Sequence, residues 1–162
     1  MASALKNLST YRPVSLNKPS SLRVCIVVSE WNHRITGALS RGALATLTEH
    51  GLLDKNIILH TVPGSFELTV GANMLFHKYK PDAVICLGCV VTGETRHAEY
   101  ICHAVAQGLT NLSIQHQTPF IFGVLTPDTQ KQAEERAGGK HGNKGIEAAV
   151  TALELIRLKQ SL

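Results

Sequence analysis

The sequence predicts an α/β protein of three layers, with one parallel sheet between two layers of helices. Three observations carry that prediction. Apolar runs of strand length alternate with segments of helical periodicity along most of the chain. The runs are continuous rather than alternating, as strands covered on both faces should be. Reactive and polar side chains crowd just after the runs, where the chain would leave a buried sheet.

The elements follow in order. "LRVCIVVS" (22–29) is the first strand, and residues 33–50 place Ile35, Leu39, Ala43 and Leu47 at helical spacing before Gly51 closes the helix. "NIILHTVP" (56–63) is the second strand, followed by a helix over 65–79 that ends at "KPD". "AVICLGCVV" (83–91) is the third, with a helix over 96–115 behind it. "PFIFGVLT" (119–126) is the fourth, and helices over 127–137 and 143–160 finish the chain. Strands and helices in this order, joined by right-handed crossovers, give a flavodoxin-like α/β/α sandwich on a four-stranded parallel sheet. Residues 1–21 form an arm and 22–162 one domain.

Composition narrows the function. At 162 residues, with 44% hydrophobic and 17% charged, the chain suits one soluble domain. No apolar run approaches the roughly 20 residues a membrane span requires. The net charge of +4 is misleading, because Lys6, Arg12, Lys18 and Arg23 stand in an acid-free start while the rest balances. No basic stripe with interleaved aromatics points to nucleic acid. The Ser- and Lys-containing start also suits a transit peptide. A disordered or loosely docked arm is the expectation here, and the cytoplasm the expected location.

Cysteines stand at 25, 86, 89 and 102, and "CLGC" invites a zinc reading. Cys86 and Cys89 lie inside a strand-like run, however, and residues three apart on a strand face opposite ways. Buried hydrophobes are the expectation for most of these thiols, and no metal is expected.

The strand ends hold the candidate chemistry. Gly93, Glu94 and Thr95 stand where a helix begins, whose free N–H groups and dipole suit an anion; a plain capped turn is the competing reading. His97, in the first turn, is expected to favour the neutral imidazole that accepts protons. Trp31, the only tryptophan, follows a strand with Asn32, and either packs in the core or walls a flat heterocycle. "PGSFE" offers backbone groups and Glu67, which also reads as an ordinary first-turn acid. "EERAGGKHGNKGIEAA" (134–149) carries Arg136, Lys140 and Lys144 among four glycines, either as a phosphate loop or as a solvated connection. Together these sketch a site for a phosphorylated small molecule and a flat polar ring.

Five segments, "SEWNHRIT", "VPGSFELTV", "LGCVVTGETRHAEYI", "PFIFGVLTPDTQKQAEERAG" and "GNKGIEAA", in this order from about residue 23 onwards, resemble the lumazine synthase family. The resemblance implies condensation of 5-amino-6-(D-ribitylamino)uracil with 3,4-dihydroxy-2-butanone 4-phosphate to 6,7-dimethyl-8-ribityllumazine, with loss of phosphate and water and without cofactor or metal. It implies that Trp31, where the family often has phenylalanine, stacks on the pyrimidine. Asn32 and the backbone of Ser65, Phe66, Glu67, Val90 and Val91 would hold the ring and ribityl chain. Glu94, where alanine is common, and Thr95 would meet the phosphate through the helix start, with Arg136 as its main cation and Lys144 beside it. His97 would shuttle protons.

The family forms homo-oligomers, so the resemblance also implies pentamers, free, paired as decamers or assembled into 60 subunits. The shell is the expected form. Phe122 and Arg136 would then face a neighbour's Trp31 and His97, and the arm would run in part along a neighbour. Rival readings on the same fold are a non-catalytic flavin or lumazine carrier, a shell protein, and another phosphosugar enzyme.

Overall fold

The computed structural model describes residues 9–162. Its sheet is four-stranded and entirely parallel, in the order β2-β1-β3-β4, from β1 (Val24–Ser29), β2 (Ile57–Val62), β3 (Ala83–Cys89) and β4 (Phe120–Leu125). Every side chain of β1 and β3 is buried. Alternate residues feed two cores. Val24, Ile26, Ile85 and Leu87 pack on one face with α1 (His33–Glu49) and α5 (Lys144–Ser161). Cys25, Val27, Val84 and Cys86 pack on the other with α2 (Leu68–Tyr79) and α3 (His97–His116). The expected three layers and flavodoxin-like order are therefore present.

β2 departs from the expectation of strands covered on both faces. It lies at the sheet edge, and Leu59, His60 and Thr61 are exposed. An apolar run predicts a strand without saying whether its outer face finds a cover.

Local chemistry sets the helix limits. α1 buries Ile35, Leu39, Ala43 and Leu47, the stripe read from the sequence, and stops at Gly51, whose φ of 86° a side chain would resist. α2 starts at Leu68, three residues later than expected, leaving 65–67 as a turn. The fourth helix, α4 (Gln130–Glu135), begins with a capping box in which Thr129 and Gln132 satisfy each other's backbone N–H groups.

The segment read as a glycine-rich connection is folded. Ala137–Gly139 (β5) and Gly142–Asn143 (β6) pair antiparallel, with Gly138 at φ 113° and Gly142 at 89°. Asn143 then caps α5 through Gly145 N–H at 2.8 Å.

Residues 9–21 of the expected arm pack on the chain's own helices; residues 1–8 lie outside the described residues. Asn17 and Gln160 exchange two hydrogen bonds of 3.0 Å. Val14 N–H donates to His50 Nε2 at 3.2 Å, and the Val14 side chain joins the α1 core. Ser9 Oγ donates to Asn143 O at 3.1 Å and accepts the Asn143 N–H in return. Among the described residues no helix is long and apolar enough to cross a membrane.

Candidate active site

The helix that follows β1 covers one face of the sheet, and the helix that follows β3 covers the other. Their loops therefore part at the carboxyl edge between two adjacent strands, which is where an open parallel sheet forms a ligand crevice. A cavity of about 670 Å³ lies there, lined by Trp31, Asn32, Ser65, Phe66, Glu67, Val90, Val91 and His97. Eight of the sequence candidates thus meet in one place.

Asn32 fixes the first wall. It sits in the left-handed region at φ 59°, which asparagine tolerates, and its Nδ2 donates to Cys89 O at 2.9 Å. That bond ties the end of β1 to the end of β3. Trp31 N–H donates to Pro63 O at 3.3 Å, which links the same loop to β2. Trp31 is 73% exposed and lines the cavity, so it does not pack in the core. Phe66 and Tyr100 are exposed beside the same cavity, so three aromatic rings border it.

The floor is small and buried. Ser65 Oγ donates to Ser29 Oγ at 3.4 Å, beneath the turn that carries Phe66 and Glu67. Gly88 leaves room for it, since a Cβ there would come within 2.6 Å of the Ser65 oxygen.

His97 is the first residue of α3 and exposed to the cavity. Thr95 Oγ1 accepts its N–H at 3.4 Å, so this hydroxyl serves the helix start. Glu94 and Thr95 lie on the exposed 92–96 segment and do not line the cavity.

Phe122, Arg136 and Lys144 are not in this cavity. They line a second one, of about 560 Å³, with Glu135 and His141. Arg136 is held by Glu147, Nη1 to Oε1 at 2.8 Å and Nη2 to Oε2 at 3.0 Å, and Nη1 also donates to His141 O at 2.8 Å. Lys144 Nζ lies 3.3 Å from Glu147 Oε2. The loops after β3 and β4 line one cavity each and are tied together: Val90 N–H donates to Leu125 O at 2.8 Å, and Thr92 N–H to Pro127 O at 3.0 Å. Among the described residues none lines both.

The sequence reading missed Tyr100, Glu135, His141 and Glu147. Tyr100 lies three residues after His97 on one helix, and Glu147 three after Lys144, a spacing that puts side chains on a common face. His141 carried no such signal, because its position depends on the β5–β6 turn.

Three of the four thiols, Cys25, Cys86 and Cys89, are buried, as expected for most of them, and Cys102 is half-buried. Burial pushes Cys25 and Cys89 up to about 11, and Cys86 higher still. Cys86 and Cys89 belong to cores on opposite faces of the sheet, so they do not converge.

A flavodoxin-like sheet with an aromatic crevice, an imidazole at its rim and a separate cationic pocket defines a class: small-molecule enzymes of open α/β architecture. Residues 21–160 match the profile of 6,7-dimethyl-8-ribityllumazine synthase. The 6,7-dimethyl-8-ribityllumazine synthase of Porphyromonas gingivalis is 54% identical over 160 residues, covering 99% of each chain. Those of Parabacteroides distasonis and Cytophaga hutchinsonii are 52% and 53% identical over 156 residues, covering 96% of this chain and 98% of theirs. The chain belongs to the lumazine synthase family.

Proposed function

We propose that this protein catalyses the condensation of 5-amino-6-(D-ribitylamino)uracil with 3,4-dihydroxy-2-butanone 4-phosphate to 6,7-dimethyl-8-ribityllumazine in riboflavin biosynthesis, using a site completed by a neighbouring copy of the chain. One observation supports this reading above others. Among the described residues the aromatic cavity has no Lys or Arg in its lining, the cationic cavity holds Arg136 and Lys144, and none lines both. Each cavity is half of what a flat ring and a phosphate ester together require.

The pyrimidine stacks on Trp31, with Asn32 and the backbone of 65–67 and 90–91 along its edges. The phosphate lies against Arg136 and Lys144 of the neighbour, with Phe122 beside them. Glu94 stays outside, so its charge does not oppose the phosphate, and the 92–96 backbone serves as a secondary contact. The amine attacks the ketone and water leaves as the imine forms; phosphate is then eliminated, and ring closure and a second loss of water follow. Each step moves protons, and none calls for an oxidant or reductant. His97, at the rim, gives and takes those protons. Holding two substrates together supplies much of the remaining acceleration.

A carrier would need neither a phosphate cation nor a shuttle. The test is a one-pot assay of purified protein with both substrates, following lumazine absorbance over the uncatalysed background. Product that depends on protein and falls in Arg136→Ala supports the reading. Tight lumazine binding without acceleration would favour the carrier.

A further inference from the structure

We propose that His141 is a third, proton-dependent cation of the phosphate pocket, and that an incoming phosphate ester draws a proton onto its imidazole. The inference rests on the phosphate reading above and concerns a residue to which that reading gives no role.

The argument begins with a charge count. Glu135 from α4, Arg136 at its end, His141 in the β5–β6 turn and Lys144 at the start of α5 line the pocket, and Glu147 stands behind the two cations. Among the described residues two fixed cations face two carboxylates, so with a neutral imidazole these side chains sum to no net charge. Glu147 engages Arg136 and Lys144 together. A phosphate dianion placed there meets little uncompensated positive charge unless another group ionises. His141 is the one imidazole among the described lining residues, and an imidazole is the kind of side chain that can take up a proton near neutral pH. Lys140 and Glu134, its exposed neighbours, are of opposite sign and do not alter the count.

The geometry lets His141 take this part. Its backbone is bolted at both ends, N–H to Glu135 O at 2.9 Å and O from Arg136 Nη1 at 2.8 Å. The His141 backbone is therefore fixed beside the guanidinium, and both residues line the cavity. Glu135 Oε2 lies 3.7 Å from Nε2, so a carboxylate already faces the cation that would form. The other titratable group that faces the pocket in the assembled site is His97 of the neighbour.

Sulfate is the suitable probe, because it remains a dianion from pH 6 to 8 whereas phosphate itself titrates. Calorimetry on the intact protein, in buffers of different ionisation enthalpy, reads affinity and proton uptake together. Sulfate binding should weaken with rising pH, towards tenfold per unit for one linked proton. Uptake near one proton should vanish, and the pH slope flatten, in His141→Ala but persist in His97→Ala. An unchanged slope in His141→Ala, or a flattening in His97→Ala instead, overturns the proposal while the phosphate reading stands. No sulfate affinity in the parent, or none lost in Arg136→Ala, would overturn both.

Discussion

Glu147 grips Arg136 at two nitrogens, Oε1 at 2.8 Å from Nη1 and Oε2 at 3.0 Å from Nη2. Nη2 donates a hydrogen bond to Oε2 while Nη1 makes only an ion pair with Oε1, and the Arg136 side chain is only 19% exposed. The same carboxylate mutes the charge that it aims. Position and strength are therefore opposed at this pair.

Glu147→Gln separates the two effects. An amide keeps the volume but loses the second acceptor and the negative charge. Inhibition by inorganic phosphate should strengthen, on the order of tenfold, because a countercharge beside two cations is gone. The catalytic rate should fall, because the guanidinium is no longer held at two points. Steady-state kinetics with phosphate as product inhibitor gives both numbers. Weaker inhibition would mean that aim matters more than net charge.

Asn32 joins two demands that single substitutions can part. Asn32→Gly keeps the φ of 59° without strain but gives up the bond to Cys89 O, at a cost of about 1 kcal/mol. Asn32→Ala loses the bond and also strains the backbone, at a cost of about 2 kcal/mol or more. Urea unfolding of the two variants should rank them in that order. The reverse ranking would show that the positive φ at this position does not strain an alanine.

Much of the fold was readable because it is written in period and punctuation. The α1 stripe, the strand runs and the stops at Gly51 and Lys80 are local signals, and the structure follows them to within three residues. The aromatic cavity was readable for a related reason: Trp31, Ser65 and Val91 each follow a strand, and parallel strands end together. The division into two cavities was not readable, since it depends on which loops hydrogen-bond across the sheet edge. The exposure of β2 and the β5–β6 ribbon also escaped. The first depends on neighbours in space, and the second on glycines whose positive φ a sequence permits without requiring.

The glycines give a contrast of a different kind. A Cβ at Gly93 would meet nothing within 4 Å, and this residue is not among the glycines with positive φ. Gly93→Ala should therefore change stability by no more than about 0.5 kcal/mol. A Cβ at Gly145 would overlap the Leu39 carbonyl where α5 crosses α1, and backbone cannot step aside. Gly145→Ala should cost more than about 3 kcal/mol or prevent soluble expression. Thermal melts of both variants check the pair, and a stable Gly145→Ala protein would mean that the α1–α5 crossing is looser than it stands here.

His97→Ala should lower turnover by roughly 10²–10⁴-fold if the imidazole alone moves the protons. Binding of the lumazine product should change far less, because stacking on Trp31 and the backbone contacts remain. Rate and product affinity measured on one preparation separate the two. A variant that binds product poorly and turns over normally at saturation would make His97 a contact rather than a shuttle.

The buried thiols set a limit on alkaline stability, and the sign follows from their direction of shift. Burial holds Cys25 and Cys89 at about 11 in the folded chain against an ordinary 9.0, with Cys86 also raised. Above the unfolded value the folded state keeps protons that the unfolded state has released. Stability from this source is thus intact below about pH 9 and is lost progressively as pH rises towards 11. At pH 10 the loss is about 1 kcal/mol for each fully buried thiol. Urea unfolding at pH 7.5 and 10 should show the drop in the parent, and a smaller one once Cys25, Cys86 and Cys89 are replaced by alanine. Cys102, the half-buried thiol, should be the first to react with iodoacetamide in the native protein, with the other three following only on unfolding. Parallel losses in parent and variant would assign the alkaline sensitivity to other groups.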